Sequence, residues 1–332
     1  MNIKKTVILF IILLGLAGYY YTRQHLSDKR QAQEEAAQRL FSAAEDALEN
    51  ITIARPDERI ALEKHDGVWK VVEPVEAFAD TEALKQMAIT FINAEQQKTI
   101  TEDRSQDEEF GLDAPQLLIS AAGSEEGSPM QLAIGHETPT GSGYYARAND
   151  QAKVITVSSL VKSGLDTSLY DLRDKTILAF EPAQIKKAVL TLPSDQTVAL
   201  EQEDDAWKIV APLQYQADTR KMNGLLSRIK SARIQAFLTE KTEDLSQYGL
   251  DQPEAALSVF ADEDTSVAAL LLGRKNETGS GVYARYEGRD NVFLVEAALL
   301  DEFPASVNDL RDKTLLAFIS SDIQKIELSS LE

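Results

Sequence analysis

Asp171-Leu172-Arg173-Asp174-Lys175-Thr176 recurs intact at Asp309-Leu310-Arg311-Asp312-Lys313-Thr314, 138 residues later. The same offset links residues far upstream. Trp69 recurs as Trp207, Pro74 as Pro212 and Asp80 as Asp218. Gly111-Leu112-Asp113 returns as Gly249-Leu250-Asp251, and Pro115 as Pro253. Thr140-Gly141-Ser142-Gly143 returns as Thr278-Gly279-Ser280-Gly281, and Tyr145-Ala146-Arg147 as Tyr283-Ala284-Arg285. About a third of the positions between Arg59 and Ile185 are identical to their partners. A period this long is a whole domain, not a solenoid unit.

Within one copy the alternation of apolar residues predicts short strands at Ile51–Ala54, Ile60–Lys64 and Val68–Val72. His65-Asp66-Gly67 supplies the turn between the last two. Asp80 reads as the N-cap of a helix running to about Gln96, with Leu84, Met87, Ala88, Phe91 and Ile92 as its apolar stripe. Four further strands are expected near Leu117–Ala121, Gln131–Ile134, Tyr144–Ala148 and Val154–Val157, with a short helix near Ser159–Gly164. The fold class is therefore α+β: two tandem, mostly antiparallel sheet domains with one main amphipathic helix each.

Upstream, Thr6–Tyr21 is an uncharged apolar run flanked by Lys4 and Lys5, with Tyr19, Tyr20 and Tyr21 placed for an interfacial belt. It reads as a transmembrane anchor over residues 1–26; a cleaved signal peptide is the alternative. Residues 27–50 are rich in Ala, Glu, Gln and Arg and read as a stalk helix. The first repeat domain is placed at 51–187 and the second at 188–332. Ile323–Leu328 resembles the start of a copy, so either a third unit begins at about 323 or this strand closes the second sheet. A fragment from about Ala183 should fold alone.

Composition narrows the function. The chain has 332 residues, a net charge of −20 and no Cys. Such an acidic surface has no footprint for nucleic acid. Without Cys there are no disulfides, thiolate metal sites or cysteine nucleophiles. The three His residues have no His partner in the other copy, so neither a zinc site nor a Ser–His–Asp site is expected, and no cofactor. Thr-Gly-Ser-Gly lacks the Lys of a phosphate-binding loop and reads as a hairpin turn with Gly at positive φ.

Tyr145 with Arg147, and Tyr283 with Arg285, fall on one strand face. Together with Ser142 and Ser280 they form the candidate ligand or partner face. The competing structural role pairs each Arg with an internal carboxylate, Asp171 or Asp174 being natural candidates. Asp171, Arg173, Asp174, Asp309, Arg311 and Asp312 read as a structural motif. In it the Leu enters the core and the Arg is fixed by charge-assisted hydrogen bonds. Trp69 and Trp207 read as core anchors.

These motifs together resemble the domain of unknown function 4340 family: a membrane segment, a strand ending in W-x-x-x-x-P, Ala-Asp before a helix, Gly-Leu-Asp-x-Pro, Thr-Gly-x-Gly-x-Tyr-Ala-Arg and Asp-Leu-Arg-Asp-Lys-Thr. The first copy carries Gly67 before its Trp, and the second has Asp205 in that place. The resemblance implies a membrane-anchored protein found beside gliding-motility-type ABC transporter components and serving as their auxiliary subunit. It brings no catalytic residues. The expected protein is a non-enzymatic accessory or scaffold, single-pass in the cytoplasmic membrane, with its bulk periplasmic or extracytoplasmic. Its expected partners are the membrane and transporter permease or ATPase subunits. The alternative is an envelope ligand-binding module for a peptide or glycan.

The anchor has a direct test. The protein should stay in the membrane fraction through carbonate washing, with its body open to external protease. A soluble mature form starting near Gly18 would instead identify Thr6–Tyr21 as a cleaved signal peptide.

Overall fold

The computed structural model describes residues 47–123, 130–261 and 266–314, together with residues 20, 38–41, 43 and 325. The chain divides into two units, Met1–Asp174 and Lys175–Glu332. In the first unit the strands are β1 (Leu48–Arg55), β2 (Glu58–His65), β3 (Val68–Glu73), β4 (Ala77–Phe78), β5 (Lys98–Thr101), β6 (Leu117–Gly123), β7 (Met130–Glu137), β8 (Gly143–Ala148) and β9 (Val154–Ser158). Its helices are α1 (Thr81–Ile92), α2 (Asp107–Phe110), α3 (Ser159–Leu165) and α4 (Leu169–Leu172). The strands form one antiparallel sheet in the order β4-β3-β2-β1-β6-β7-β8-β9-β5. The chain thus leaves one edge at β4, passes through α1, and joins the opposite edge as β5.

The second unit repeats this order. Its strands β10 (Lys187–Thr191), β11 (Thr197–Glu203), β12 (Ala206–Ala211), β13 (Tyr215–Gln216), β14 (Ala236–Thr239), β15 (Ala255–Phe260), β16 (Ser266–Lys275), β17 (Gly281–Tyr286) and β18 (Val292–Glu296) stand as β13-β12-β11-β10-β15-β16-β17-β18-β14. Helix α5 (Thr219–Ser231) matches α1, and two one-turn helices, α6 (Ala298–Asp301) and α7 (Val307–Leu310), follow β18.

Each core lies between the sheet and its main helix. In α1 Leu84, Met87, Ala88, Phe91 and Ile92 are buried, and in α5 Met222, Leu225, Leu226 and Ile229. They meet inward-facing strand residues such as Ile53, Ile60, Ile119 and Ile134, or Leu190, Leu200, Leu257 and Leu272. The Asp80 carboxylate accepts from Ala83 N, and that of Asp218 from Arg220 and Lys221 N, so both predicted N-caps hold. Helix α1 ends at Ile92, short of the expected Gln96. The residues beyond it are engaged elsewhere: Ala94 O accepts from Leu40 N, and Gln96 N donates to Gln38 O, each at 2.9 Å.

The β2–β3 turn carries Asp66 at φ 51° and Gly67 at φ 80°. Its counterpart keeps the same left-handed pair with Asp204 and Asp205 at φ 47° and 61°. Without glycine this turn is strained by about 1 kcal/mol, eased by aspartate's tolerance of that region. The sheet edges are short. Strand β4 has two residues and β5 has four, and the register shifts between Thr99 and Thr101 leave Ile100 as an exposed bulge. Leu238 repeats this bulge in β14.

Two boundaries differ from expectation. Residues 48–50 are strand rather than stalk helix, and Arg39 bridges Glu95 in extended pairing. Phe41 is buried and stacks on Phe91 at 4.5 Å, which draws this stretch into the first core. The units divide after Asp174 rather than after Lys187, because Ile177, Leu178, Phe180 and Ile185 are buried in the second core. The expected anchor, most of the stalk, and the strand from 323 lie outside the described residues. Among the described residues no helix is long and apolar enough to cross a membrane.

The boundary yields a stability test. A fragment from Lys175 should unfold cooperatively. One from Ala183 lacks Ile177, Leu178 and Phe180, each worth about 1.5–3 kcal/mol when fully buried, and should be several kcal/mol weaker in chemical denaturation. Equal midpoints would assign the boundary to the later position.

Candidate functional site

The Thr-Gly-Ser-Gly segment is the hairpin between β7 and β8. Thr138 N donates to Gly143 O and Gly141 N to Thr138 O, both at 2.8 Å, and Gly141 takes φ 68°. Asn276, Gly281 and Gly279 repeat the pattern, with Gly279 at φ 70°. The hydroxyls of Thr140 and Ser142 lie 2.8 Å apart, and those of Thr278 and Ser280 2.7 Å apart. Ser142 and Ser280 thus bond within the turn. Each stands five residues from the Arg of its strand, roughly 16 Å along the extended backbone, so the serines do not join the Tyr/Arg face.

That face is the side of the sheet opposite the main helix. In the first unit the stretch Arg104–Leu112 lies across it. Phe110, Leu112 and Val154 are buried there with Tyr145 packed against them. The rings of Phe110 and Tyr145 are 4.6 Å apart. Gly135 makes this close approach possible: a Cβ there would stand 2.1 Å from Phe110 O. Gly273 plays the same part, its Cβ position being 2.2 Å from Tyr248 O. Gly111 and Gly249 turn the covering segment at φ 66° and 67°.

Arg147 is buried beneath this cover and binds Asp107 through both terminal nitrogens; Nη1 lies 2.6 Å from Oδ2. The carboxylate partner is therefore Asp107, not Asp171 or Asp174. A helical turn over the sheet face reaches Arg147, whereas the Asp171 carboxylate is taken by the Ser168 hydroxyl at 2.6 Å. The hydrogen bond from Arg147 holds the Asp107 carboxyl below its ordinary range, overcoming the opposing effect of burial. The same bond raises the Arg147 guanidinium further.

The second unit keeps the arginine and loses the acid. Leu245 stands where the first copy has Asp107. Tyr248 meets Tyr283 edge-on at 5.1 Å, replacing the Phe110–Tyr145 contact. No hydrogen bond or ion pair of Arg285 forms among the described residues, and its Nε is buried without an acceptor. Tyr283 and Arg285 lie two residues apart on β17, as Tyr145 and Arg147 do on β8, so each pair shares a strand face. Sequence reading missed Asp107, whose forty-residue separation from Arg147 carries no local pattern; comparing position 107 with 245 was the available signal.

The Asp-Leu-Arg-Asp run closes each unit. Leu172 and Leu310 are fully buried. Asp80 N donates to Leu172 O (2.8 Å) and Asp174 N to Phe78 O (2.9 Å). Asp218 N donates to Leu310 O (2.7 Å) and Asp312 N to Gln216 O (2.9 Å). Arg173 is buried, while Arg311 stacks over the Tyr215 ring at 3.7 Å, a cation–π contact where hydrogen bonds were expected. Ser306 donates to Asp309 and holds its carboxyl below the usual range. Trp207 is a core anchor, fully buried with its indole N–H on Asn223 Oδ1 at 2.9 Å. Trp69 is only partly buried against the first core, and Lys85 stands in sequence where Asn223 accepts from Trp207 in the second copy.

The family model described as "Domain of unknown function (DUF4340)" matches residues 69–208 and again 207–332. No curated protein and no solved structure matches the chain.

The Asp107–Arg147 pair makes the first unit acid-sensitive. The folded carboxyl titrates below its unfolded value of about 3.9, so the pair's stabilisation is complete above that pH and is lost as pH falls through the folded value. Asp107→Asn should destabilise the first unit by about 1.5–3 kcal/mol at pH 7, the range for a hydrogen bond to a charged group. The difference from wild type should shrink in strong acid, as read by denaturant titration at several pH values.

Proposed function

The chain belongs to the DUF4340 family, with two tandem copies of its domain, and from that membership we propose a non-enzymatic, membrane-tethered extracytoplasmic accessory or scaffold protein. The observation that carries the reading is that two like cores present unlike surfaces. Val68, Phe78, Leu160 and Tyr170 are large exposed side chains in the first unit. Their counterparts are Ala206, Gln216, Ala298 and Asn308. The second unit exposes Leu213 and Val267 instead, and the bulge residues Ile100 and Leu238 are exposed in both. Phe78 pairs with Lys70 across β3 and β4, so it shares an outer face with Val68 two residues on. Cores that stay alike while exposed apolar positions diverge suit a protein whose copies meet different neighbours.

The tether rests on the uncharged run Thr6–Tyr21. The choice of an ABC-type complex, through its permease or ATPase subunits, rests on the family resemblance. A second reading, a ligand-binding module for a peptide or glycan, is favoured by Arg285, which stands beside Tyr283 with no acid bound to it among the described residues.

Pull-down of the full chain in mild detergent should recover permease or ATPase subunits, and Phe78→Glu with Leu160→Glu should reduce that recovery at least several-fold. A wild-type pull-down lacking both subunit types would sink the transport reading. A small peptide or glycan that raises the melting temperature would favour the second.

A further inference from the structure

The two copies are a matched pair in which one arginine is occupied and the other has no acceptor among the described residues. Arg147 lies opposite Ala133 on β7, and Arg285 lies opposite Leu271 on β16. Both are two residues beyond a tyrosine that packs against an aromatic ring of the covering segment. Both sit beside a glycine that admits this segment's backbone, Gly135 or Gly273. In both, Nε is buried without an acceptor. The difference lies at the terminal nitrogens. Those of Arg147 are bound by the Asp107 carboxylate; those of Arg285 have no partner among the described residues, and position 245 is Leu.

We propose that Arg285 is the receptor for a carboxylate from outside this chain, an Asp or Glu side chain of a bound polypeptide. The proposal rests on the reading of the chain as a protein-binding module. The first unit shows the binding mode: a carboxylate on a polypeptide turn meets both terminal nitrogens of the arginine. A planar guanidinium fork suits a carboxylate and offers two parallel donors. The Tyr283 ring, two residues away on the same strand face, and Leu245, which takes the backbone place of Asp107 by accepting from Leu250 N, are apolar, which suits methylene groups beside the carboxylate better than a fully hydrated inorganic anion. Recognition is local. The chain's net charge of −20 repels polyanions such as nucleic acid and leaves a single carboxylate as the fitting ligand.

The test uses the full chain in mild detergent and follows the Arg285 Nε–Hε resonance, assigned by its loss in Arg285→Gln. Acetyl-Ala-Glu-Ala-amide should shift it saturably. The peptide with Gln for Glu should not, and sodium acetate should need at least tenfold higher concentration. Leu245→Asp should reproduce the shift without peptide and block the further response, while Leu245→Asn should do neither. Leu245→Asp should also raise the unfolding midpoint of the second unit, and lose that gain when combined with Arg285→Gln. An unmoved resonance with the Glu peptide overturns the proposal, as does an equal response to acetate or an undiminished response in Leu245→Asp. If Arg285→Gln still recovers the same partner subunits at wild-type yield, the scaffold reading stands and the carboxylate receptor falls.

Discussion

The backbone clasp between the Asp-Leu-Arg-Asp run and the residues just before the main helix is the constraint on which each unit depends. Asp80 is held twice. Its N–H donates to Leu172 O, and its carboxylate caps α1 at Ala83 N. Asp218 is held the same way, by Leu310 O and by the first turn of α5. One residue therefore fixes the end of the domain, the short edge strand beside it and the start of the helix that covers the core. Leu172 and Leu310 are driven under that helix by burial. Within this run the Leu carbonyl and the second Asp amide make the same backbone bonds in both copies, to the residues on either side of the short edge strand's end.

Most of this architecture was legible in the sequence, for a physical reason. Strands with one buried face alternate, and the main helix repeats its apolar residues at helical spacing; the seven strands read from these patterns are all present. Strands β4 and β5 were not legible. Two residues cannot alternate, and Lys98–Thr101 buries no side chain fully. The division between units was placed at Lys187 rather than Asp174 because Lys175–Ile185 continues the repeated run without any turn residue before Pro182, and only packing assigns it. The candidate face was legible as a strand pattern at Tyr145 and Arg147, but its electrostatics were not. Whether an arginine is occupied depends on a partner supplied from forty residues away by a helical turn.

Duplication also separates what the fold requires from what it tolerates. Both copies keep glycine where a backbone carbonyl approaches within the space of a Cβ, at Gly135 and Gly273. Neither steric demand has an alternative. At the β2–β3 turn, by contrast, Asp205 replaces Gly67 and the chain absorbs a modest strain. Trp207 finds an acceptor in Asn223 and is fully enclosed; Trp69, whose aligned position for Asn223 is Lys85, stays partly open. The first core is closed instead by Phe41 stacking on Phe91.

The truncated and bulged sheet edges have a consequence for synthesis. A chain holding two similar sheets carries, in its own other half, the nearest surrogate strand for either one. Strands emerging from the ribosome beside an already folded copy could extend that copy's sheet instead of founding their own. A two-residue edge at β4 or β13 offers such an intruder almost no ladder to join. The bulges at Ile100 and Leu238 break the hydrogen-bond register at the opposite edges. Each copy is thereby insulated from its sibling, and repeats about a third identical can be made in tandem without exchanging strands.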